Sequence, residues 1–273
     1  MKSIAFGQYY PAASLLHRLD PRIKIIMTIL YIVCSFLCKN ILSYALLLIS
    51  AILVIAIGRV PFKIVLRGLK PVLFVLAFTA ILNIFWTDGE MLLLEWKFIR
   101  IYAEGLYAAL FIMIRIGALI VGTGMFLTYT TTPIALTNAI EDLLSPLKLL
   151  KVPVHSFAMM MTIALRFIPT LAEETDKIMT AQKARGADFS SGGLVSRAKA
   201  LIPVLIPLFV SAFNRAGDLA TAMECRCYNG DKGRTRMTVR HLRFTDFIPL
   251  ILIVLFGAGL IWLNILRIGY TML

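Results

Sequence analysis

Long apolar stretches recur along this chain and are separated by short polar connections. Each stretch has about 17 residues or more, close to the roughly 20 that an α-helix needs to cross a hydrocarbon core of about 30 Å. They occupy residues 23–38, 41–57, 71–86, 105–129 and 247–266. The pattern therefore predicts an all-α integral membrane protein with about five transmembrane helices.

The region 131–246 has a different pattern. Its apolar stretches alternate with charged segments, and it holds ten of the fifteen acidic residues. Prolines and a Gly-Gly pair divide it further into separate helices. We expect a helical platform that emerges from the membrane and partly lies along its surface. The predicted organisation is four transmembrane helices in 1–130, coupling helices at the membrane surface in 131–246, and a fifth transmembrane helix in 247–273.

Composition and charge agree with a membrane protein. Hydrophobic residues make up 59% of the chain and charged residues 16%, against roughly 25% charged residues in soluble domains. The net charge of +13 is assigned to membrane topology and not to nucleic-acid binding, because the cations cluster in the N-terminal segment, in 59–70 and in 131–246. By the positive-inside rule the N terminus and residues 131–246 are predicted to be cytoplasmic in a multi-pass protein of the cell membrane. The first 22 residues lack the apolar segment of a signal peptide, so we expect the first span to direct insertion.

Residues that could carry catalysis or hold a metal are scattered. The phosphate-binding pattern G-x-x-x-x-G-K-[ST] is absent from the sequence. The three histidines are far apart, and neither Cys34 and Cys38 in an apolar span nor Cys225 and Cys227 in the region assigned to the reducing cytoplasm is expected to form a disulfide. The C-x-C pair lacks the second ligand pair that a zinc site needs. The sequence therefore predicts no catalytic site, no metal site and no cofactor held by this chain.

Two arginines stand out in the region 131–246. Arg185 ends one amphipathic helix and Arg226 ends another, 41 residues later, and small residues flank both. One interpretation is electrostatic: a cation in the last turn complements the negative end of the helix dipole. The other is that each arginine is exposed to bind a carboxylate of a partner, since small neighbours let a partner approach closely. The matched pair favours the second interpretation.

These motifs also resemble a known family. The sequence has R-F-I-P-T-L-x-E-E at 166–174, A-x-x-A-R-G at 181–186 and A-M-E-x-R-x-Y at 222–228, with L-D-P-R at 19–22. Together they resemble the transmembrane T component (EcfT) of energy-coupling factor (ECF) transporters, which are ABC-type importers of vitamins and trace metals. The resemblance implies a scaffold between two cytoplasmic ATPase subunits, which bind the ATP, and a membrane-embedded substrate-binding (S) subunit.

The resemblance also assigns roles to residues. The ATPase-coupling motifs correspond to Ala184-Arg185-Gly186 and Cys225-Arg226-Cys227. The second differs from the usual Ala-Arg-Gly by its cysteines, so we expect Gly230 to supply the helix stop there. Met159, Met160 and Met161 are expected to belong to an adaptable apolar platform for the S subunit, although the same methionines could be ordinary core residues.

Two other functions have to be weighed. A self-sufficient secondary transporter or channel should show ionisable residues clustered at mid-bilayer, whereas the spans contain one central cation, Arg115, for which we expect a structural pairing with Glu104 or a polar group of another span. A membrane enzyme would need paired acidic groups, but Glu173 and Glu174 are adjacent and point in different directions on a helix. Both alternatives are therefore disfavoured.

Overall fold

The computed structural model describes residues 9–86, 92–96, 99–189, 193–230 and 243–266. These residues are helical apart from one antiparallel hairpin of two short strands and the connecting loops. A π-helical turn, Gly124–Thr128, follows α5, and a 3-10 helix, Ser145–Leu150, follows α6. The elements are α1 (Leu15–Arg18), α2 (Pro21–Leu37), α3 (Ile41–Gly58), α4 (Phe62–Trp86), β1 (Leu92–Trp96), β2 (Ile99–Tyr102), α5 (Ala103–Thr123), α6 (Pro133–Leu143), α7 (Val154–Ala184), α8 (Leu194–Cys225) and α9 (Phe244–Ile265).

The all-α membrane class is confirmed, but the described residues contain six candidate membrane helices where the sequence predicted about five. Six helices in the described residues are long and apolar enough to cross a membrane: α3, α4, α5 with its π-turn, α7, α8 from Val195, and α9. The two candidates that the sequence did not predict as spans are α7 and α8. Each is one continuous helix with an apolar N-terminal half and a polar C-terminal half. The predicted span 23–38 falls in α2, which has 17 residues and is about 26 Å long at 1.5 Å per residue, so it is not among the six.

The described chain divides into two compact units. We call residues 9–139 and 243–266 the bundle unit, and residues 140–189 and 193–230 the hairpin unit. In the bundle unit α2 packs against α5 and α9, and α3 and α4 pack against α5. Its core includes Tyr31, Leu47, Met125 and Leu260, while many large apolar side chains of α3, α4 and α9 are exposed. Outward-facing apolar side chains are expected where lipid is the solvent.

Helix α2 begins with strong local signals. The side chain of Asp20 accepts a hydrogen bond of 2.9 Å from the backbone N–H of Arg22, and Pro21 occupies the first helical position. Both features favour a helix start, because the cap satisfies an orphan N–H and proline has no N–H to satisfy. Farther along, Tyr31 of α2 packs against Gly122 of α5. A Cβ on Gly122 would lie 2.1 Å from a ring carbon of Tyr31, so this glycine permits close helix packing.

Polar side chains contact both ends of α2. Near its start the Lys24 side chain, 1% exposed, donates to the Thr130 carbonyl (2.9 Å) and to the hydroxyls of Thr130 and Thr131 (3.2 Å each). At its last residue, the Leu37 carbonyl accepts a hydrogen bond of 2.7 Å from Asn264 Nδ2 of α9. Helix α2 is therefore fixed at one end to the segment before α6 and at the other to α9.

Candidate functional site

Helices α7 and α8 form an antiparallel pair in the hairpin unit. Gln182 Nε2 donates to the Pro203 carbonyl at 3.4 Å, and eight residues earlier on α7 the Glu174 carboxylate accepts a hydrogen bond of 2.6 Å from the Ser211 hydroxyl. Residues earlier in α7 therefore contact residues later in α8, so the two helices run in opposite directions. The C-terminal ends of the two helices consequently lie at opposite ends of the pair.

The end of α7 has the hydrogen bonds of a Schellman motif. Arg185 is the C-cap, and Gly186 follows in the left-handed region at φ 89°. The N–H of Gly186 donates to the Lys183 carbonyl and the N–H of Ala187 donates to the Gln182 carbonyl, both at 3.0 Å. A glycine at this position tolerates a positive φ without steric cost. The backbone therefore satisfies these carbonyls without any help from the Arg185 side chain.

The end of α8 repeats this geometry with a cysteine in the glycine position. Arg226 is the C-cap and Cys227 has φ 55°. The N–H of Cys227 donates to the Glu224 carbonyl at 2.8 Å, and the N–H of Tyr228 donates to the Met223 carbonyl at 3.0 Å. The expectation that Gly230 stops this helix is wrong, because the helix has already turned at Cys227. A non-glycine residue in this region costs about 1–2 kcal/mol.

Both arginine side chains are exposed. Within the described residues, neither Arg185 nor Arg226 has an ion pair or a side-chain hydrogen bond. The flanking residues Ala184, Gly186 and Cys225 are exposed as well, and a Cβ added to Gly186 would meet no atom within 4 Å. Each helix end thus presents a cation in open space, surrounded by small side chains.

The three methionines lie in the N-terminal half of α7. Met160 and Met161 are 59% and 47% exposed, whereas Met159 is partly buried. Exposure of this kind does not fit core packing for Met160 and Met161. Neighbouring α8 also exposes large apolar side chains, among them Leu205, Ile206, Phe209 and Phe213. The proline-containing parts of both helices therefore carry an apolar surface.

The sequence analysis missed an ion pair between the two helices. The Arg215 guanidinium of α8 contacts the Glu174 carboxylate of α7, which also accepts the bond from Ser211. A signal for it existed, because Glu174 and Arg215 are 41 residues apart, the same separation as Arg185 and Arg226. Adjacent Glu173 is exposed, whereas the Glu174 carboxylate contacts α8, so the two side chains point in different directions.

The expected structural pairing of Arg115 is also found, in the bundle unit. Its guanidinium donates to the Cys38 carbonyl at 2.9 Å and to the Tyr44 hydroxyl, and it lies 5.3 Å from the centroid of the Tyr44 ring. Cys38 follows the end of α2 and Tyr44 lies in α3, so Arg115 of α5 connects three helices. Among the described residues, no three His, Cys, Asp or Glu side chains are placed to hold a metal ion.

Comparison with known proteins places these features in a family. A family model described as "Cobalt transport protein" (CbiQ) matches residues 12–239. The energy-coupling factor transporter transmembrane protein EcfT of Ruminiclostridium cellulolyticum is 55% identical over 247 residues, which cover 90% of this chain and 91% of the relative. The EcfT proteins of Clostridium kluyveri and Bacillus subtilis are each 50% identical, over 91% and 86% of this chain and 92% and 89% of their own lengths. The chain therefore belongs to the EcfT family, the transmembrane proteins of energy-coupling factor transporters.

Proposed function

We propose that this chain is the scaffold that couples ATP hydrolysis by two cytoplasmic ATPase subunits to movement of an S subunit, in the uptake of a vitamin or a trace metal. The observation that carries the proposal is the matched pair of exposed arginines, Arg185 and Arg226, at opposite ends of the α7–α8 pair. Two similar ends that face away from each other suit two partner subunits of the same kind.

Each arginine is suited to bind an acidic groove. A guanidinium can donate two parallel hydrogen bonds to a carboxylate, and hydrogen bonds to charged groups contribute about 1.5–3 kcal/mol each. The small flanks Ala184, Gly186 and Cys225 leave room for the groove walls. ATP is bound by the partner subunits, and this chain is a non-catalytic subunit that holds no cofactor of its own.

A mechanism follows from docking of the ATPases at Arg185 and Arg226. When ATP binding brings the ATPases together, the grooves that hold Arg185 and Arg226 move, and the ends of α7 and α8 move with them. The apolar surface that includes Met160 and Met161 then shifts beneath the S subunit that rests on it. Methionine suits such a surface because its side chain is flexible and polarisable.

The proposal also fixes the orientation in the membrane. The N terminus and residues 131–246, as coupling helices, face the cytoplasm, in line with the placement of the cations. Residues 1–130 and 247–273 cross the membrane, whereas α7 and α8, although long and apolar enough to do so, lie at the cytoplasmic face with their apolar N-terminal halves against the bilayer or the S subunit. ATPases on the cytoplasmic side can then reach both arginines.

The test is co-purification of the ATPases with the tagged chain. We expect Arg185→Ala and Arg226→Ala each to weaken retention of the ATPases about tenfold, the effect of losing about 1.4 kcal/mol, and the double variant to abolish it. Lys177→Ala is the matched control, because Lys177 is an exposed cation of α7 away from its end. Equal retention by all variants would contradict docking through the arginines, and substrate uptake by the chain without any ATPase would favour a secondary transporter.

A further inference from the structure

The Glu174–Arg215 ion pair occupies a special position in the α7–α8 pair. Arg185 follows Glu174 by 11 residues, and Arg226 follows Arg215 by 11 residues. At 1.5 Å per residue each arginine is therefore about 16 Å along its helix from the ion pair. The ion pair thus lies midway between the two exposed arginines.

The two segments between the ion pair and the arginines are continuous helices. We call residues 174–185 and 215–226 the arms. Neither arm contains proline, whereas Pro169, Pro203 and Pro207 all lie on the N-terminal side of the ion pair in their helices. Proline removes a backbone hydrogen bond and promotes kinks, so neither arm is interrupted by a proline kink.

The ion pair is built to hold a fixed geometry. The Glu174 side chain is 23% exposed and that of Arg215 is 35% exposed, so the contact is partly shielded from solvent. One carboxylate oxygen accepts from Ser211 and the other from Arg215. Both donors belong to α8, one turn apart, and this fixes the carboxylate against one short stretch of the partner helix. Gln182, nearer the end of α7, adds a longer contact to Pro203.

We propose that the Glu174–Arg215 ion pair, with Ser211, is the fulcrum of the two arms, so that displacement of one arginine is transmitted to the other. The inference rests on the proposed function for its role in transport. Glu174 and Arg215 are positioning residues, because they contact each other between α7 and α8 and act through the arms. Without the ion pair the arms still carry their arginines but change angle independently.

The first test needs no partner. Spin labels are placed at Thr180→Cys and Thr221→Cys, exposed positions six residues beyond the ion pair on each arm. The background carries Cys225→Ala and Cys227→Gly, which reproduces the Ala-Arg-Gly triplet of α7, while Cys34 and Cys38 are buried. Pulsed electron paramagnetic resonance of the full chain in lipid nanodiscs gives the label distance. We expect a single narrow distribution.

Substitutions then distinguish the effect of the ion pair from that of neighbouring charges. Glu174→Gln is expected to broaden the distance distribution at least twofold, and the exchange Glu174→Arg with Arg215→Glu to narrow it again. Glu173→Gln, which removes the neighbouring exposed carboxylate, should leave the distribution unchanged. A distribution for Glu174→Gln as narrow as the unsubstituted one would overturn the proposal.

The second test uses the complex with the ATPases. Addition of the non-hydrolysable analogue Mg·AMP-PNP should move the distribution of the unsubstituted background as one peak, whereas Glu174→Gln should retain the ATPases but give no common shift. Loss of the ATPases from Glu174→Gln, or the same shift with and without the ion pair, would overturn the fulcrum. If the background binds no ATPase while the original chain does, the substitutions at Cys225 and Cys227 have disrupted docking. If neither chain binds an ATPase, the proposed function fails. In both cases the first test still decides whether the ion pair sets the angle between the arms.

Discussion

Arg185 and Arg226 occupy helix ends where backbone N–H groups already satisfy the last carbonyls. A purely electrostatic cap role would contribute about 0.3–1 kcal/mol to helix stability, whereas a docking role predicts lost binding with unchanged helix ends. The arginine motifs could be found from the sequence because each is local and follows an amphipathic helix. The turn at Cys227 could not, because the preference for glycine in a left-handed conformation pointed to Gly230.

The conformation of Cys227 leads to a prediction at this scale. Cys227→Gly should stabilise the end of α8 by about 0.5–1 kcal/mol, because the strain of a positive φ is relieved while the unfolded chain gains some entropy. Hydrogen exchange of the Tyr228 amide, which donates to the Met223 carbonyl, should slow accordingly. Cys225→Gly is the matched control and should have the opposite sign, since glycine is unfavourable inside a helix. Faster exchange in Cys227→Gly would contradict the assignment.

The existence of helices α7 and α8 was predicted from the sequence, but their full length was not. Charged residues near their ends indicate surface helices, and the prolines predict a division into separate helices. Pro169, Pro203 and Pro207 instead lie inside continuous helices. Contacts between elements could not be predicted from the sequence for a different reason. The pairing of Glu174 with Arg215 depends on the antiparallel register of two helices, and the sequence alone does not give that register.

Helix α2 provides the prediction at the scale of elements. Lys24 lies near the start of α2, and its ammonium group is buried against Thr130 and Thr131. Lys24→Met should lower the free energy of unfolding by about 2 kcal/mol, because the Thr130 carbonyl loses its charged donor in a buried site. Denaturant titration of the purified chain in detergent measures the change. Lys63→Met, at an exposed position of α4, should change it by less than about 0.5 kcal/mol, and equal effects would show that the Lys24 contact contributes little.

At the scale of the whole molecule, the two units separate two tasks. The bundle unit carries polar contacts between elements, such as those of buried Lys24 and half-buried Arg115, and an apolar surface for lipid. The hairpin unit carries the exposed arginines and the Glu174–Arg215 ion pair. Membership of the EcfT family agrees with the membrane character of the chain. The central claim is that each end of the α7–α8 pair docks one ATPase.

Site-specific photo-cross-linking in the assembled complex tests this claim most directly. A photoreactive residue at Lys183 and, separately, at Glu224 is next to each docking triplet, and both positions are exposed. Each position is expected to give an adduct with an ATPase subunit. Arg185→Ala should remove the adduct at 183 and leave that at 224, with the reverse for Arg226→Ala, while the probe at Lys177 gives little product. Adducts that persist at both positions in the Arg185→Ala, Arg226→Ala double variant, or that form at neither position in the unsubstituted complex, would contradict the account.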